Sequence, residues 1–484
     1  MFLWRLEVRR HVSDVVLAFA GGVVAGTVLS FWLSLPYFTS VAWCLLAVGL
    51  LLLAMINCRT YALAVAVLAG ILLGFFRTDS TLVDIKNIQR FDDQVITVSG
   101  TVFEDPDTGS DGSFAVKINN LAIGDRALSG SIYVGKLKNQ DIKRGDSVTF
   151  SGKLGGGFGS FAGAMWRPSV EAVDRPVPGD LARQARDWFG SLIRQVIGEP
   201  EVDLGLGYLL GQRRSLSDHM VDILKITGLT HIVVASGYNL TVLVRFSRRT
   251  FYKLSRFAAL FAALVLIVCF IMITGVSPSM LRAGLVSVLS LLAWYYGRKF
   301  HPVNLLVLVA AATLLLNPSY IMDLGWLLSF GSFVGVMIFA PLLYAYFFGK
   351  RKPNFLVQVL FETFSAQLLV LPILIYFFGQ ISVVSIFANM LVLPTIPITM
   401  LLTFLAGLFV LVVFPLGQLF GWLANIILGY HLNVMEHFGS LEWAMVPAEL
   451  NAVGAVVCYA ALIALGLYLS RVTGYKLHNA NVVE

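Results

Sequence analysis

Repeated apolar runs of bilayer-spanning length constrain this chain more than any other feature. About twelve such runs occur, and each can cross roughly 25 to 30 Å of hydrocarbon at about 1.5 Å per helical residue. In addition, 57% of the 484 residues are hydrophobic and only 13% are charged, which excludes a soluble globular enzyme. The sequence therefore predicts a polytopic α-helical membrane protein of about twelve spans. The runs are 15–33, 41–57, 61–76, 229–244, 257–275, 281–296, 303–317, 324–348, 356–378, 383–413, 416–434 and 451–470.

Clusters of Lys and Arg predict the orientation of these runs, because basic loops stay on the cytoplasmic side. The strongest cluster is 245–256, which holds five basic residues and no acidic residue. One topology puts every basic cluster inside, with both termini cytoplasmic and residues 77–180 extracytoplasmic. The membrane topology is therefore the first explanation of the net charge of +7, and an anionic partner is the second.

The region 77–180 has a different composition, with more charge, more Gly and short β-type runs separated by turn residues. Four such runs, at 95–102, 114–118, 130–134 and 146–152, predict a small antiparallel barrel of the OB type. OB folds often bind single-stranded nucleic acid with basic grooves and aromatic side chains. The region holds 12 Lys/Arg against 14 Asp/Glu, so only a local basic face is predicted, and the aromatic residues are alternatively core residues. The candidate DNA contacts are Lys117, Tyr133, Lys136, Lys138, Lys143, Arg144 and Trp166.

Residues 181–227 predict amphipathic interfacial helices, because apolar residues recur at helical spacing opposite charged ones. Such helices either cover the outer face of a pore or simply pack on the membrane region. The predicted domains are three N-terminal spans (1–76), the β domain (77–180), the interfacial helices (181–227), a membrane domain (228–472) and a cytoplasmic tail (473–484).

Several polar residues fall inside or beside the apolar runs, where they cost free energy unless they meet a partner or water. His231, Ser236 and Asn239 lie within 228–240, and Arg282 and Asp323 start two later runs. The predicted topology brings His231, Arg282 and Asp323 to the outer membrane surface, either as a lined pathway or, for the two charged residues, as a structural ion pair.

Run 383–413 is too long for one straight span and holds Asn389 and Pro394 near its middle. Because Pro interrupts helices, this run predicts two half-helices with an unwound centre, and Asn389 is expected to border a cavity.

The polar motifs, taken together, resemble the ComEC family of competence proteins. The matching segments are Gly228-Leu229-Thr230-His231 with Ser236-Gly237, Met280-Leu281-Arg282-Ala283, Asp323-Leu324-Gly325 through Ser329-Phe330, and Phe378-Gly379-Gln380 with Asn389 and Pro394. Three positions depart from the family pattern: Asn239 replaces a second His, and Trp326 and Leu328 replace the usual Phe and Gln. Larger members carry a C-terminal metallo-β-lactamase-like domain, whereas this chain reaches Glu484 without the corresponding metal motif, so it resembles a short form.

The resemblance implies a channel that moves single-stranded DNA across the bacterial cytoplasmic (inner) membrane during natural transformation. Expected partners are single-stranded DNA, membrane lipid, and a separate DNA receptor, nuclease and cytoplasmic motor; the oligomeric state is not specified. No enzyme activity, cofactor or metal is expected. The alternatives are a secondary transporter of a small solute or ion, with its site at the broken helices, and a membrane scaffold. The expected path residues are His231, Ser236, Gly237, Asn239, Arg282, Asp323, Ser329, Gln380, Asn389 and Pro394.

Overall fold

The chain divides into two compact units in a computed structural model. Unit 1 comprises Met1–Pro106, Phe114–Gly179 and Val303–Leu327, and unit 2 comprises Asp107–Ser113, Asp180–Pro302 and Leu328–Glu484. The structure describes residues 11–33, 37–108, 113–124, 126–138, 141–212, 216–233, 237–298, 301–349, 351 and 354–475.

Unit 1 begins with three helices, α1 (Val12–Leu33), α2 (Val41–Asn57) and α3 (Thr60–Gln89). Helix α3 continues past Arg77, where the change in composition predicts the start of the β domain. Residues 77–89 contain neither Pro nor Gly, and the hydroxyls of Thr78 and Thr81 donate to carbonyl oxygens one turn back. Nothing in this stretch stops the helix, so the first strand begins only at Val95.

Helices α1 and α3 pack with their backbones in close contact through glycines. A Cβ atom on Gly22, Gly26, Gly70 or Gly74 would lie under 3.0 Å from a backbone oxygen of the opposite helix. Small residues allow this approach where van der Waals packing, rather than the hydrophobic effect, holds apolar helices together.

Replacing Gly70 with alanine should force α1 and α3 apart, because the new Cβ would collide with the backbone oxygen of Phe19. Overpacking of this kind costs about 1 to 3 kcal/mol. We expect Gly70→Ala to lower the melting temperature of the purified protein. Gly21→Ala is the matched control, because its Cβ would meet nothing within 4 Å. Equal melting temperatures for the two variants would contradict the close packing.

Unit 1 continues into a small β-barrel. Its five ring strands follow the order β1-β3-β5-β7-β6, and the ring closes because β6 also pairs with β1. Strands β5 and β7 are parallel, and the other ring pairs are antiparallel. The strands are β1 (Val95–Val102), β2 (Asp107–Thr108), β3 (Phe114–Ile123), β4 (Arg126–Leu128), β5 (Ile132–Leu137), β6 (Ser147–Gly156), β7 (Gly163–Trp166) and β8 (Ser169–Asp174).

The inward side chains of the ring form a dry core, which includes Val98, Ile118, Val134, Phe150 and Met165. This alternation of buried and exposed positions is what the sequence pattern predicts for a closed barrel, and a small barrel is present.

One buried carboxylate ties the entry of β6 to the end of β8. Asp146 accepts a hydrogen bond from the backbone N of Lys143 at 2.9 Å and from Arg175 Nε at 3.0 Å and Nη2 at 2.9 Å. The hydrogen bond that Arg175 donates to Asp146 raises the pKa of Arg175 above its ordinary value. Arg175 therefore stays charged, and its ion pair with Asp146 fixes the end of the strand that leads out of the barrel.

Helices fill most of the remaining chain, with a short two-stranded sheet of β9 (Gln380–Ser382) and β10 (Met445–Pro447). The helices are α4 (Leu181–Ile193), α5 (Glu201–Leu210), α6 (Asp218–Ile226), α7 (Thr230–Val233), α8 (Gly237–Phe251), α9 (Arg256–Thr274), α10 (Pro278–Tyr295), α11 (Pro302–Leu316), α12 (Leu324–Val334), α13 (Ala340–Phe348), α14 (Phe355–Phe378), α15 (Ser385–Val392), α16 (Ile396–Val412), α17 (Phe414–Gly439) and α18 (Ala452–Thr473). A π-helical turn (Gly335–Phe339) joins α12 to α13.

The segment Val303–Leu327 belongs to unit 1 although it lies far from the N-terminal helices in sequence. Ala311 of α11 packs against Ala20 and Val23 of α1. Arg77 donates from Nε to the carbonyl oxygen of Leu315 at 2.9 Å and from Nη2 to that of Leu316 at 3.0 Å. A basic side chain thus satisfies the last carbonyls of α11, as favoured at helix C-termini.

Helix α4 is amphipathic but buries part of its charged face, and helix α5 differs from the amphipathic interfacial helices that the sequence predicts. Residues 202–210 of α5 are all buried, so α5 is a core helix packed against α16 and α17. In α4 the charged face points inward: Arg183 and Arg186 are buried, whereas Leu181 and Trp188 are more than half exposed. The arginines pair with Asp187 of the same helix. Apolar residues that point outward are what a lipid environment favours.

Eight helices in the described part of the chain are long and apolar enough to cross a membrane: α1, α3, α9, α10, α12 with α13, α14, α15 with α16, and α18. Helices α2 and α11 are shorter apolar helices. The length and the apolar composition of these helices therefore identify the chain as an integral membrane protein. Two predicted spans differ: α8 has 15 residues, and α17 has 26 residues but is not apolar enough. The predicted count of twelve spans is not confirmed.

The long run 383–413 forms two helices, as predicted, but its centre is a helical turn rather than an unwound segment. A single 3₁₀ turn, Leu393–Thr395, joins α15 to α16. Pro394 and Pro397 each fall in the first residues of a new helical segment. A missing N–H costs little there, because the first N–H groups of a helix have no partner within it. The prolines therefore tighten the helix instead of breaking it.

Candidate functional site

Four aromatic side chains form a partly exposed cluster on the barrel, here called the aromatic surface: Tyr133, Phe158, Phe161 and Trp166. Tyr133 lies at its centre, with ring centroids 5.2 Å from Phe158, 5.7 Å from Phe161 and 5.5 Å from Trp166. Trp166 is 55% exposed and Phe158 46% exposed, so these rings are not core residues. The choice between core and surface that the sequence leaves open is thus decided for Trp166.

A glycine beneath the tryptophan gives the aromatic surface its shape. Gly135 pairs with Trp166 across the parallel strands β5 and β7, and a Cβ at Gly135 would lie 2.7 Å from the Trp166 ring. Any side chain at Gly135 would therefore displace the indole.

The aromatic surface has exposed cations beside it. Lys136 follows Gly135 with a positive φ of 60°, and Lys138 and Arg167 are also exposed. Among the described residues no carboxylate lies within 4.0 Å of these three side chains. Arg167 was not among the predicted contacts; its position directly after Trp166 is the signal that identifies it.

The other predicted basic contacts, Lys117, Lys143 and Arg144, are either paired with a carboxylate or buried. Lys117 forms an ion pair with Glu104 at 2.7 Å, and Lys143 lies 3.5 Å from Asp141. Arg144 is only 5% exposed. These side chains stabilise the barrel, and their charge is compensated or enclosed.

In unit 2, Arg282 lies in a pocket of uncharged groups, here called the arginine pocket: Ser279, Ser329, Phe330 and Phe333. Its Nε donates to Ser329 Oγ at 2.6 Å, and the Ser279 and Ser329 hydroxyls are 3.2 Å apart. The guanidinium carbon lies 5.9 Å from the ring centre of Phe330 and 5.4 Å from that of Phe333. Within the described residues of unit 2, no carboxylate is within 4.0 Å of Arg282.

Gly237 makes room for this guanidinium. A Cβ at Gly237 would lie 3.2 Å from Arg282 Nη2 and 3.0 Å from the Cβ of Ala283. The start of α8 and the start of α10 therefore meet at the arginine pocket, which brings together three predicted path residues: Gly237, Arg282 and Ser329. Ser279 and Phe333 complete the pocket but were not predicted; they lie one helical turn from Arg282 and Ser329 along their own helices.

The segment before α7 is attached to the start of α15. Ser382 Oγ donates to the carbonyl oxygen of Ile226. Gly228, with a φ of 68°, approaches Ser385 so closely that a Cβ would lie 2.6 Å from the Ser385 Cβ. His231 Nδ1 is 2.9 Å from the carbonyl oxygen of Gly228. Asn389 Nδ2 donates a hydrogen bond to the carbonyl oxygen of Ser385 at 2.8 Å. His231 and Asn389 are therefore both anchored at this junction.

Asn239 has a structural position. It is fully buried, and its Nδ2 donates to the carbonyl oxygens of Tyr208 at 3.0 Å and Ile232 at 3.3 Å. An asparagine amide can link these two carbonyls of α5 and α7. Ser236, a predicted path residue, lies outside the described residues.

The remaining predicted path residues are dispersed. Asp323 belongs to unit 1, where its carboxylate accepts from the backbone N of Trp326 at 2.8 Å and from Ser160 Oγ at 3.2 Å. It thus caps α12 and contacts the loop of the aromatic surface. Gln380 is exposed in β9, and Pro394 lies half-buried in the 3₁₀ turn. No group of three potential metal ligands occurs among the described residues.

Comparisons with known proteins agree with the polar motifs. Residues 208–472, more than half of the chain, match the family model for the competence protein family. The chain is similar to ComE operon protein 3 of Bacillus subtilis (strain 168), with 29% identity over 190 residues, which cover 38% of this chain and 23% of that protein. No solved structure is significantly similar to the chain. The match includes α8, α10 and α15, and so the whole arginine pocket: the chain belongs to the competence protein family.

Proposed function

We propose that this protein carries single-stranded DNA across the bacterial cytoplasmic membrane during natural transformation. The observation that carries the proposal is the arginine pocket, inside the region that matches the competence family. A guanidinium in a membrane unit without a carboxylate partner is costly unless it serves an anion or faces water. Hydroxyls and aromatic rings position Arg282 while leaving its charge available to a phosphate.

The barrel supports an OB-type nucleic-acid domain. Its five ring strands follow an order in which the third and fifth strands in sequence, β5 and β7, are the parallel pair. OB folds bind oligonucleotides on the face of their second and third strands and on the loop between the fourth and fifth. Tyr133 lies on the third ring strand, and Phe158 and Phe161 lie in the loop between the fourth and fifth.

The chemistry of the aromatic surface fits single-stranded DNA. Exposed rings offer stacking to any base, and Lys136, Lys138 and Arg167 offer cations to the backbone. Base stacking on an aromatic side chain contributes about 1 to 3 kcal/mol per base without sequence preference. We infer that the barrel binds the incoming strand and that unit 2, here called the membrane unit, conducts it.

Within the membrane unit the proposed path runs by the arginine pocket and the junction of Gly228 with α15. Arg282 and Ser329 supply donors for phosphate oxygens, and His231 and Asn389 supply polar groups further along. A single cation with neutral donors attracts the strand without trapping it, as conduction requires.

We propose that the barrel is extracytoplasmic and that both termini are cytoplasmic, following the basic clusters. A separate DNA receptor, nuclease and cytoplasmic motor are the proposed partners. These assignments follow from the positions of the basic residues and from the competence family.

Deletion of the gene for this protein from a transformable strain tests the proposal. We expect loss of nuclease-resistant, internalised DNA and of transformants, while DNA bound at the cell surface remains. Restoring the chain should restore both. Normal internalisation of labelled DNA in the deletion strain would contradict the proposal and favour the solute-transporter alternative.

A further inference from the structure

A histidine in unit 2, outside the proposed DNA path, is fully buried. His431 of α17 is 0% exposed, and its Nε2 lies 2.6 Å from the Thr395 hydroxyl oxygen. The single hydrogen of that hydroxyl is used, because Thr395 Oγ1 donates to the carbonyl oxygen of Val392 at 2.8 Å. We therefore assign the proton to Nε2, which donates to Thr395. This leaves Nδ1 of the neutral ring as a bare acceptor.

That acceptor has no hydrogen-bond partner among the described residues, and neither does the hydroxyl of its neighbour Tyr208. The two rings are in edge contact, with centroids 5.7 Å apart, and Tyr208 is 1% exposed. An unpaired buried polar atom is destabilising, because it has lost its hydrogen bonds to water. A phenolic O–H needs an acceptor and Nδ1 needs a donor, so one or more ordered water molecules would satisfy both.

A row of hydroxyl side chains begins at Thr395, in the 3₁₀ turn before α16. Thr399 and Thr403 follow it at intervals of four residues and share one face of α16. Thr399 and Thr403 are fully buried, and the Thr403 hydroxyl also lacks a partner among the described residues. Across from it α5 has Gly205, where a Cβ would lie 3.2 Å from Leu428 Cδ1 and 3.5 Å from Thr403 Oγ1, so α5 and α16 approach closely at this point.

We propose that α5, α16 and α17 enclose a hydrated proton-binding site, in which His431 Nδ1 accepts a proton delivered by ordered water. The proton binds the Nδ1 lone pair, the ring becomes an imidazolium, and release reverses the step with no other bond changed. Tyr208 holds the water from α5, and Thr395 keeps Nε2 oriented. The site would let the membrane unit bind a proton, and it does not rest on the proposed DNA path.

Few other titratable groups lie near this site. Tyr208 contacts His431 from α5, and Tyr430 lies beside it on α17, with ring centroids 5.8 Å apart. Glu201, at the start of α5, is 3.6 Å from where a Gly429 side chain would begin. Helices α15 and α16 contribute no titratable residue. The proton is therefore held by His431 and water. The carboxylates of α5 are Glu201 and Asp203, and Asp203 is paired with Arg194 at 2.7 Å.

Nitrogen NMR of ¹⁵N-histidine-labelled full-length protein in nanodiscs tests the site. The chain has 7 His residues, and His431→Gln assigns the signal. At neutral pH we expect the Nε2–H tautomer, and on acidification we expect conversion to the cation before the helices unfold. Tyr208→Phe should shift this midpoint, whereas Tyr459→Phe, which removes a hydroxyl that donates to the Leu369 carbonyl, should not. An Nδ1–H tautomer, a ring that never titrates, or equal behaviour of the two tyrosine variants would overturn the proposal.

Hydroxyl-radical footprinting of the unmodified protein tests the water directly and needs no variant. Radiolysis of a bound water labels the side chain beside it, so we expect Tyr208 to be oxidised although it is buried. Phe150, fully buried in the dry barrel core, is the comparison. Tyr208 labelling as low as that of Phe150 would show a dry site and overturn the proposal.

Discussion

Arg282→Gln is expected to lower the internalisation of transforming DNA by about ten- to hundredfold. The variant keeps a similar shape but removes the charge, and a hydrogen bond to a charged group is worth about 1.5 to 3 kcal/mol, or roughly one to two powers of ten. DNA bound at the cell surface should be unchanged, because the barrel is intact. The measurement is nuclease-resistant labelled DNA per cell, at matched membrane levels of each variant.

Arg248→Gln is the matched control for this experiment. Arg248 also belongs to unit 2 and also lies over an aromatic ring, with its guanidinium carbon 5.4 Å from the ring centre of Trp294. It is outside the arginine pocket, so uptake should be close to the unmodified level. Equal losses in both variants would indicate general damage to unit 2. Normal uptake in Arg282→Gln would remove Arg282 from the DNA path.

Trp166→Ala is expected to weaken binding of single-stranded DNA by about 5- to 150-fold, because one base-stacking partner contributes about 1 to 3 kcal/mol. Replacing both Lys136 and Lys138 with Gln should weaken binding and also reduce its salt dependence, since fewer counterions are released. The measurement is fluorescence anisotropy of labelled oligo-dT with the full-length protein at several salt concentrations.

Trp188→Ala provides a control of equal exposure, because Trp188 on α4 and Trp166 are both 55% exposed. Its loss should leave DNA affinity unchanged. If both tryptophan variants bind equally well, the aromatic surface does not stack on DNA, and the barrel has another role.

The sequence predicts the barrel and the membrane class from local patterns that the structure retains. Alternation in 95–102 and 146–152 identifies β1 and β6 because their inward positions line a closed core. Apolar runs such as 257–275 and 451–470 identify α9 and α18, because each run is long and apolar enough to form a spanning helix by itself. In both cases the side chains of one segment determine what that segment forms.

Features that depend on distant partners were not predictable. No local pattern shows that α5 is buried on every side or that the arginines of α4 point inward, because both follow from packing against other helices. The centre of run 383–413 stays helical because Pro394 and Pro397 each lie at the first positions of a helical segment, where a missing N–H costs little. Composition alone does not show at which helical position a proline lies.

The contacts of the predicted path residues could not be read from the sequence. Arg282 donates a hydrogen bond to Ser329, whereas Asn239 holds two backbone carbonyls and Asp323 caps a helix in unit 1. Lys117 and Lys143 were chosen for their charge, and the ion pairs that compensate them depend on the folded barrel. His431 and Tyr208 belong to no motif in the sequence, and their contact depends on how α5 packs against α17.

Site-specific photocrosslinking during DNA uptake tests the central claim, that the strand passes the arginine pocket. A photoreactive phenylalanine analogue at Phe333 lies beside Arg282, and one at Phe347, which is 63% exposed, serves as the control. We predict that incoming labelled DNA crosslinks to position 333 and not to position 347. Cells that internalise DNA normally without any crosslink at 333 would contradict a DNA path through this pocket.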